Sequence, residues 1–157
     1  MNIRPMISKD KLALSQILRN ISEFTATEVA LAEEVISNYL SSFQESGYFI
    51  LAAEKEKTIG GYICFGPTPI TEGTWDIYWI AVDRDIQGQG LGKQLMKAAE
   101  EEIKKAKGRL ILVETSSKTG YEKTNIFYQR AGYKETCRIR DFYAIGDDQI
   151  IYEKRLR

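Results

Sequence analysis

Apolar residues recur every third or fourth position over four stretches of the chain and crowd or alternate over the rest. This change of period separates helices from strands. After a short first strand at Asn2–Met6, Ser8 is positioned to cap a helix from Lys9 to Ile21, with Leu12, Ile17, Leu18 and Ile21 on one face. A polar break at Ser22–Thr25 precedes a second helix from Ala26 to about Gln44, and Gly47 ends it. Tyr48–Glu54 and Thr58–Phe65 are strand-like runs joined by the charged turn Lys55-Glu56-Lys57, a hairpin pattern. Gly66-Pro67-Thr68-Pro69 should break the second of these strands, because proline cannot donate to a ladder.

Thr74–Val82 is a third strand of this group, rich in aromatic and β-branched residues. Leu91, Leu95, Ala99 and Ile103 then repeat every four residues, which predicts an amphipathic helix from Gln89 to Lys107. Lys104, Lys105 and Lys107 complement the negative end of its dipole, and Gly108 stops it. Arg109–Thr115 is again strand-like and Glu122–Ala131 helical. Tyr133–Asp141 and Gln149–Arg155 read as a closing hairpin around Gly146-Asp147-Asp148. The order β-α-α-β-β-β-α-β-α-β-β predicts a mixed α/β (α+β) sheet with one parallel βαβ step from Thr74 to Thr115.

A length of 157 residues fits one domain spanning 1–157, and such a chain buries roughly two-thirds of its unfolded surface. The 22 basic and 22 acidic residues cancel, so no global field favours nucleic acid or an anionic membrane. The absence of histidine removes the common zinc patterns and His-based catalytic dyads, and no metal is expected. Cys64 and Cys137 are isolated cysteines in strand-like stretches and are expected to be small core residues. The N-terminus carries no apolar leader and no run reaches eighteen apolar residues, so a cytoplasmic protein without membrane contact is expected.

The chemistry is concentrated in Gln87-Gly88-Gln89-Gly90-Leu91-Gly92-Lys93, which joins a strand to a helix. A helix start offers unpaired N–H groups and the positive end of a dipole, and glycines let the backbone close on an anion. A P-loop needs glycine where Gln87 stands and Ser or Thr after Lys93, where Gln94 stands. The dinucleotide pattern needs a third glycine where Lys93 stands. Both are excluded. A glycine-rich cap without a ligand remains the plain reading of the turn taken alone.

The segment does satisfy Gln/Arg-x-x-Gly-x-Gly/Ala, and Phe127-Tyr128 followed by Gly132-Tyr133 satisfies Phe-Tyr-x3-Gly-Phe/Tyr. On these two motifs the chain resembles the GNAT superfamily of N-acetyltransferases, and the element order extends the resemblance over nearly the whole chain. The resemblance implies acetyl-CoA as co-substrate. Main-chain groups of Ile80, Ala81 and Val82 would pair with pantetheine as an added strand, and amides from Gly88 through Gln89, Gly90, Leu91 and Gly92 to Lys93 would take the pyrophosphate. Gln87 opens the motif where many relatives have arginine. The resemblance makes Tyr128 the general acid for the departing thiolate, a role its unperturbed pKa of about 10 permits at neutral pH. Asn125 would contact pantetheine or hold the helix beside it.

For the base, Glu114 resembles one family position and Asp76 another. Glu114 is preferred and Asp76 retained, although the stretch from Glu114 to Tyr128 looks two residues longer than in relatives. Asp76, Tyr78 and Ile80 share strand parity and should face one side. The acceptor should enter between the first two helices and the final hairpin, which offer Phe24, Glu28 and Tyr143. Aromatic and acidic groups of this kind suit an ammonium-bearing acceptor. The expected partner is thus an amine acceptor, a small molecule or a peptide N-terminus or lysine, with no nucleic acid and no membrane, for a monomer or homodimer. The competing reading is a non-catalytic acyl-CoA-binding regulatory domain of the same fold.

Overall fold

The computed structural model describes all 157 residues. Seven strands form one sheet in the order β1-β2-β3-β4-β5-β7-β6. The strands are β1 (Asn2–Pro5), β2 (Phe49–Lys55), β3 (Thr58–Pro67), β4 (Thr74–Val82), β5 (Leu110–Ser116), β6 (Lys134–Ala144) and β7 (Asp147–Arg155). The helices are α1 (Lys11–Asn20), α2 (Ala26–Ser41), the short α3 (Phe43–Ser46), α4 (Leu91–Lys105) and α5 (Glu122–Arg130). All neighbouring strands are antiparallel except β4 and β5, the expected parallel step.

Two cores sandwich the sheet. Leu14, Ile17, Leu18, Val29, Ala32 and Ile36 of α1 and α2 cover Ile50, Tyr62 and Cys64 on one face. Leu91, Leu95, Ala99 and Ile103 of α4, with Tyr128 of α5, cover Ile63, Ile77, Ile111 and Tyr152 on the other. The four-residue repeat of α4 is therefore a buried stripe, as its period predicts. The faces of α1 are different from expectation. Leu12 is exposed, and Leu14 joins Ile17 and Leu18 in the core, because Leu14 lies three and four residues before them on the face that docks on the sheet. A 3-10 turn at Ser8–Asp10 precedes the helix. Asp10, not Ser8, caps that turn: its Oδ2 accepts the Ile7 N–H at 2.9 Å.

Other boundaries shift for local reasons. The second helix breaks at Ser42 (φ −149°, ψ 65°), and α3 follows as a separate turn that ends on Gly47 at φ 71°. β3 continues two residues further than expected, with Pro67 as its final residue opposite Trp75. A strand end tolerates the missing N–H. The closing hairpin is tighter, since β7 already begins at Asp147 and the turn is Ile145-Gly146. Cys64 is buried as expected, whereas Cys137 is exposed on the edge strand β6.

Two irregularities shape the centre of the sheet. The β3–β4 register runs Cys64↔Trp79 and then Phe65↔Ile77, so Tyr78 is an extra residue, a β-bulge. The bulge reverses side-chain parity. Trp75 and Ile77 lie in the α4 core before it, and Ile80 and Val82 pack against the same core after it. Asp76 and Ile80 therefore face opposite sides, contrary to simple alternation. Secondly, β4 and β5 pair only from Thr74↔Leu110 to Ile77↔Val113, although β4 runs on to Val82 and β5 to Ser116. Beyond Ile77↔Val113 the two strands are no longer paired.

The N-terminal strand is fastened by a charged knot. Arg4 donates to Asp10 at 2.7 and 3.0 Å and to Glu54 of β2 at 2.7 Å. Asp10 is 3% exposed, and its bonds to Arg4 hold its carboxyl below the usual range. A depressed carboxyl pKa contributes stability above its unfolded value, near 3.9, and loses it as pH falls through the folded value. Asp10→Asn should thus lower unfolding free energy by roughly 2 kcal/mol at pH 7 and flatten its fall below about pH 4, measured by urea titration across pH.

Candidate active site

The unpaired edge of β4 and the start of α4 meet at the glycine turn. Gly88 and Gly90 have φ of 78° and 85°, a region that disfavours side chains, and open space surrounds both. Gly90 is the N-cap of α4 and supplies no side-chain cap. The contrast with α2 is instructive. There Thr25 Oγ1 accepts the Glu28 N–H at 3.2 Å, while Glu28 Oε2 accepts the Thr25 N–H at 2.6 Å, a reciprocal capping box. The first-turn amides of α4 have no such partner and are open to an anion. Gly92 serves otherwise. It lies inside α4, where a Cβ would sit 3.2 Å from the Phe127 ring, so its smallness sets the approach of α4 to α5.

Gln87 Nε2 donates to the Val82 carbonyl at 3.0 Å and closes the turn onto the end of β4. Lys93 and Gln89 flank the turn. Ile80, Ala81 and Val82 lie along the β4 stretch that has no β5 partner. An edge without a partner beside open helix amides fits a ligand with a strand-like amide arm and a pyrophosphate.

Tyr128 lies on α5 over the same side of the sheet. It is 5% exposed and packs against the rings of Phe127, Tyr133 and Tyr152 at 5.4, 6.2 and 5.8 Å between centroids. Burial pushes its phenol well above the ordinary value, so it keeps its proton at neutral pH. Asn125, one turn earlier, is committed internally. Its Nδ2 donates to the carbonyls of Ser116 and Tyr121, at 3.2 and 2.9 Å, and its Oδ1 accepts the Tyr152 hydroxyl at 3.0 Å. Of the two expected tasks, these bonds match holding α5 against β5.

The two base candidates come together on the opposite face. Asp76 is in register with Leu112, two residues before Glu114 on the neighbouring strand. The Glu114 carboxyl is raised above the usual range, first by burial and then by the charge of Asp76. The Thr68 hydroxyl donates to Asp76 Oδ2 at 2.5 Å, and the Gln149 amide donates to Glu114 Oε2 at 3.0 Å. Tyr78, the bulge residue, is pushed up to about 12 by burial and by Asp76 foremost among its neighbours.

The hairpin and α2 close this face. Tyr143 is raised by burial, with added negative charge from Glu114, Asp147 and Glu28. Tyr121, absent from sequence expectations, is raised by burial and by Glu28, Glu23 and Asp147. Its hydroxyl donates to the Glu23 carbonyl at 3.4 Å. Glu28 therefore caps α2 and also faces the hairpin. Phe24 is half-buried against the α1–α2 core. Gln149 and Tyr121 carry no motif, and only the strand register and the α5 approach reveal them.

Uncapped amides at a helix start, an open strand edge and a buried phenol on one face, with carboxylates on the other, form an arrangement suited to acyl transfer. Comparison with known proteins agrees. Residues 45–135 match the family model of the acetyltransferase (GNAT) domain. A solved structure from Desulfovibrio desulfuricans, assigned to the GNAT family of acetyltransferases, is 35% identical, covers 98% of each chain and superposes with a TM-score of 0.95. The ribosomal-protein-alanine N-acetyltransferase from Brucella melitensis is 20% identical with a TM-score of 0.78, covering 99% of this chain and 100% of its own. An aminoglycoside 6'-N-acetyltransferase solved with coenzyme A is 20% identical with a TM-score of 0.77, covering 99% of this chain and 97% of its own. A sequence search of curated proteins finds no match.

The chain belongs to the GNAT family and is an acetyl-CoA-dependent N-acetyltransferase. No helix is long and apolar enough to cross a membrane.

The open space at Gly90 makes its backbone angle the decisive constraint. Gly90→Val should weaken acetyl-CoA binding at least tenfold by straining the cradle, with a loss of stability of roughly 1–3 kcal/mol. Isothermal calorimetry and thermal unfolding on the same variant measure both.

Proposed function

We propose that this enzyme transfers acetyl directly to a primary amine in a ternary complex, with Tyr128 as general acid and Glu114 as general base. The observation that carries the reading is the division of these groups between two faces of the sheet, on either side of the point where β4 and β5 part. Acetyl-CoA supplies the activated thioester. Backbone amides from Gly88 to Lys93 would hold its pyrophosphate, and the edge from Ile80 to Val82 its amide arm.

The acceptor must lose a proton before it attacks, because an alkylammonium pKa lies well above neutral. Glu114 is suited to accept that proton, since burial and Asp76 raise its affinity for one. Asp76, held by Thr68, acts on Glu114 through its charge and is retained as the second candidate. Tyr128 holds the opposite proton. Its buried phenol is un-ionised at neutral pH and can donate to sulfur as the thiolate leaves. A buried phenolate is costly, so the proton must be replaced from solvent within the turnover.

Glu28, Asp147 and Glu114 around Tyr143 and Tyr121 favour a cationic acceptor, either a small-molecule amine or a peptide N-terminus or lysine. A panel of such amines, followed by release of free CoA thiol, distinguishes these classes. Acetylation of neutral aromatic amines in preference to cationic ones would contradict the acidic lining.

Tyr128→Phe should lower kcat about a hundredfold and leave the Kd for acetyl-CoA within twofold, the signature of a group that acts in the transition state. Full turnover across pH in that variant would refute the acid role. Glu114→Gln should lower kcat/KM by a similar factor and abolish the acidic limb of its pH profile. In the wild type that limb should lie above the ordinary glutamate range, because the Glu114 pKa is raised.

A further inference from the structure

Gln149 is a buried polar residue that the chemistry above leaves without a task. It lies on β7, opposite Ser116 of β5 and Ile139 of β6, and is 5% exposed. Burying a carboxamide is costly unless its hydrogen bonds are made. Its Nε2 donates to Glu114 Oε2 at 3.0 Å, and its side chain lies near the Tyr143 phenol. The reversed amide would set Oε1 against a carboxylate, so the network itself fixes which end faces Glu114.

The sheet order explains the geometry. β7 lies between β5 and β6, so one side chain from the middle strand reaches the base candidate on one neighbour and the acceptor-side tyrosine on the other. The groups facing Glu114 are Asp76 and Tyr78 from β4, Tyr143 from β6 and Gln149 from β7. Glu28 from α2 and Asp147 at the start of β7 face Tyr143 beside them. None is a cation. Gln149 is thus the protein donor on a carboxylate that burial and Asp76 otherwise drive toward its neutral form, and a donor to the charged form opposes that drive.

We propose that Gln149 is a positioning residue for acetyl transfer, which fixes the Glu114 carboxylate at the acceptor face and couples it to Tyr143 on the closing hairpin. The inference rests on the reading of Glu114 as base. Its role is to keep Glu114 unprotonated and aimed when the ammonium arrives, while leaving it basic enough to take the proton.

The link itself can be tested without an acceptor. In wild-type enzyme labelled with carboxyl-13C glutamate and side-chain 15N glutamine, the Gln149 amide should titrate with the same midpoint as the Glu114 carboxyl. That titration should vanish in Glu114→Gln. In Gln149→Met, which keeps an unbranched side chain, the Glu114 midpoint should rise by about one pH unit. Thermal stability and the acetyl-CoA Kd should change little, the latter within twofold. A Glu114 midpoint that does not move in Gln149→Met, or a Gln149 amide blind to Glu114 titration, overturns the proposal. The wild-type titration decides the matter if Gln149→Met does not fold. Full turnover in Glu114→Gln would instead overturn the base reading, and with it the catalytic meaning of the link, while leaving the measured bond intact.

Discussion

The parting of β4 from β5 after Ile77↔Val113 is the constraint on which the site depends. Parallel neighbours normally stay paired, since an unpaired buried edge leaves backbone donors and acceptors without partners. Here the unpaired stretch of β4 ends at a helix start whose amides are also uncapped. One extended, phosphorylated ligand would satisfy both sets of groups together. The bulge at Tyr78 belongs to the same arrangement, because it adds twist to β4 and changes which of its side chains face α4.

The sheet then works as a partition. On the α4–α5 side lie the cradle and Tyr128, whose phenol sits among three other aromatic rings. On the other side lie Asp76, Glu114, Tyr143 and Glu28, a lining without a cation among them. Burial raises proton affinity on both sides. It strengthens the hold of the phenol on its proton, and it makes the carboxylate a better proton acceptor. In the proposed reaction, the donor Tyr128 and the acceptor Glu114 are thus kept on separate faces of the sheet.

Much of this was legible in the chain. The period of Leu91, Leu95, Ala99 and Ile103 gave the α4 stripe, and the order of elements gave the parallel step. The glycine turn was recognisable as an anion cradle, although Gly92 proved to be a packing position against Phe127. What stayed hidden depends on register. Strict alternation placed Asp76 and Ile80 together, and one inserted residue separated them. Leu12 and Leu14 are both apolar, and the face of α1 that docks on the sheet is the one Leu14 shares with Ile17 and Leu18. Cys137 reads as a core residue until β6 is seen as an edge strand.

The donor half was legible in the chain alone, because a candidate anion cradle is local: it needs a few glycines, a helix start and a strand next to them. The acceptor half is not local. Glu28, Glu114, Tyr143 and Gln149 come from a helix and three strands spread over most of the chain, and no spacing links them. Only the sheet order, with β7 inserted between β5 and β6, sets the Gln149 amide between Glu114 and Tyr143. Burial and neighbouring charge, which fix the protonation of each group, exist only after folding has excluded water.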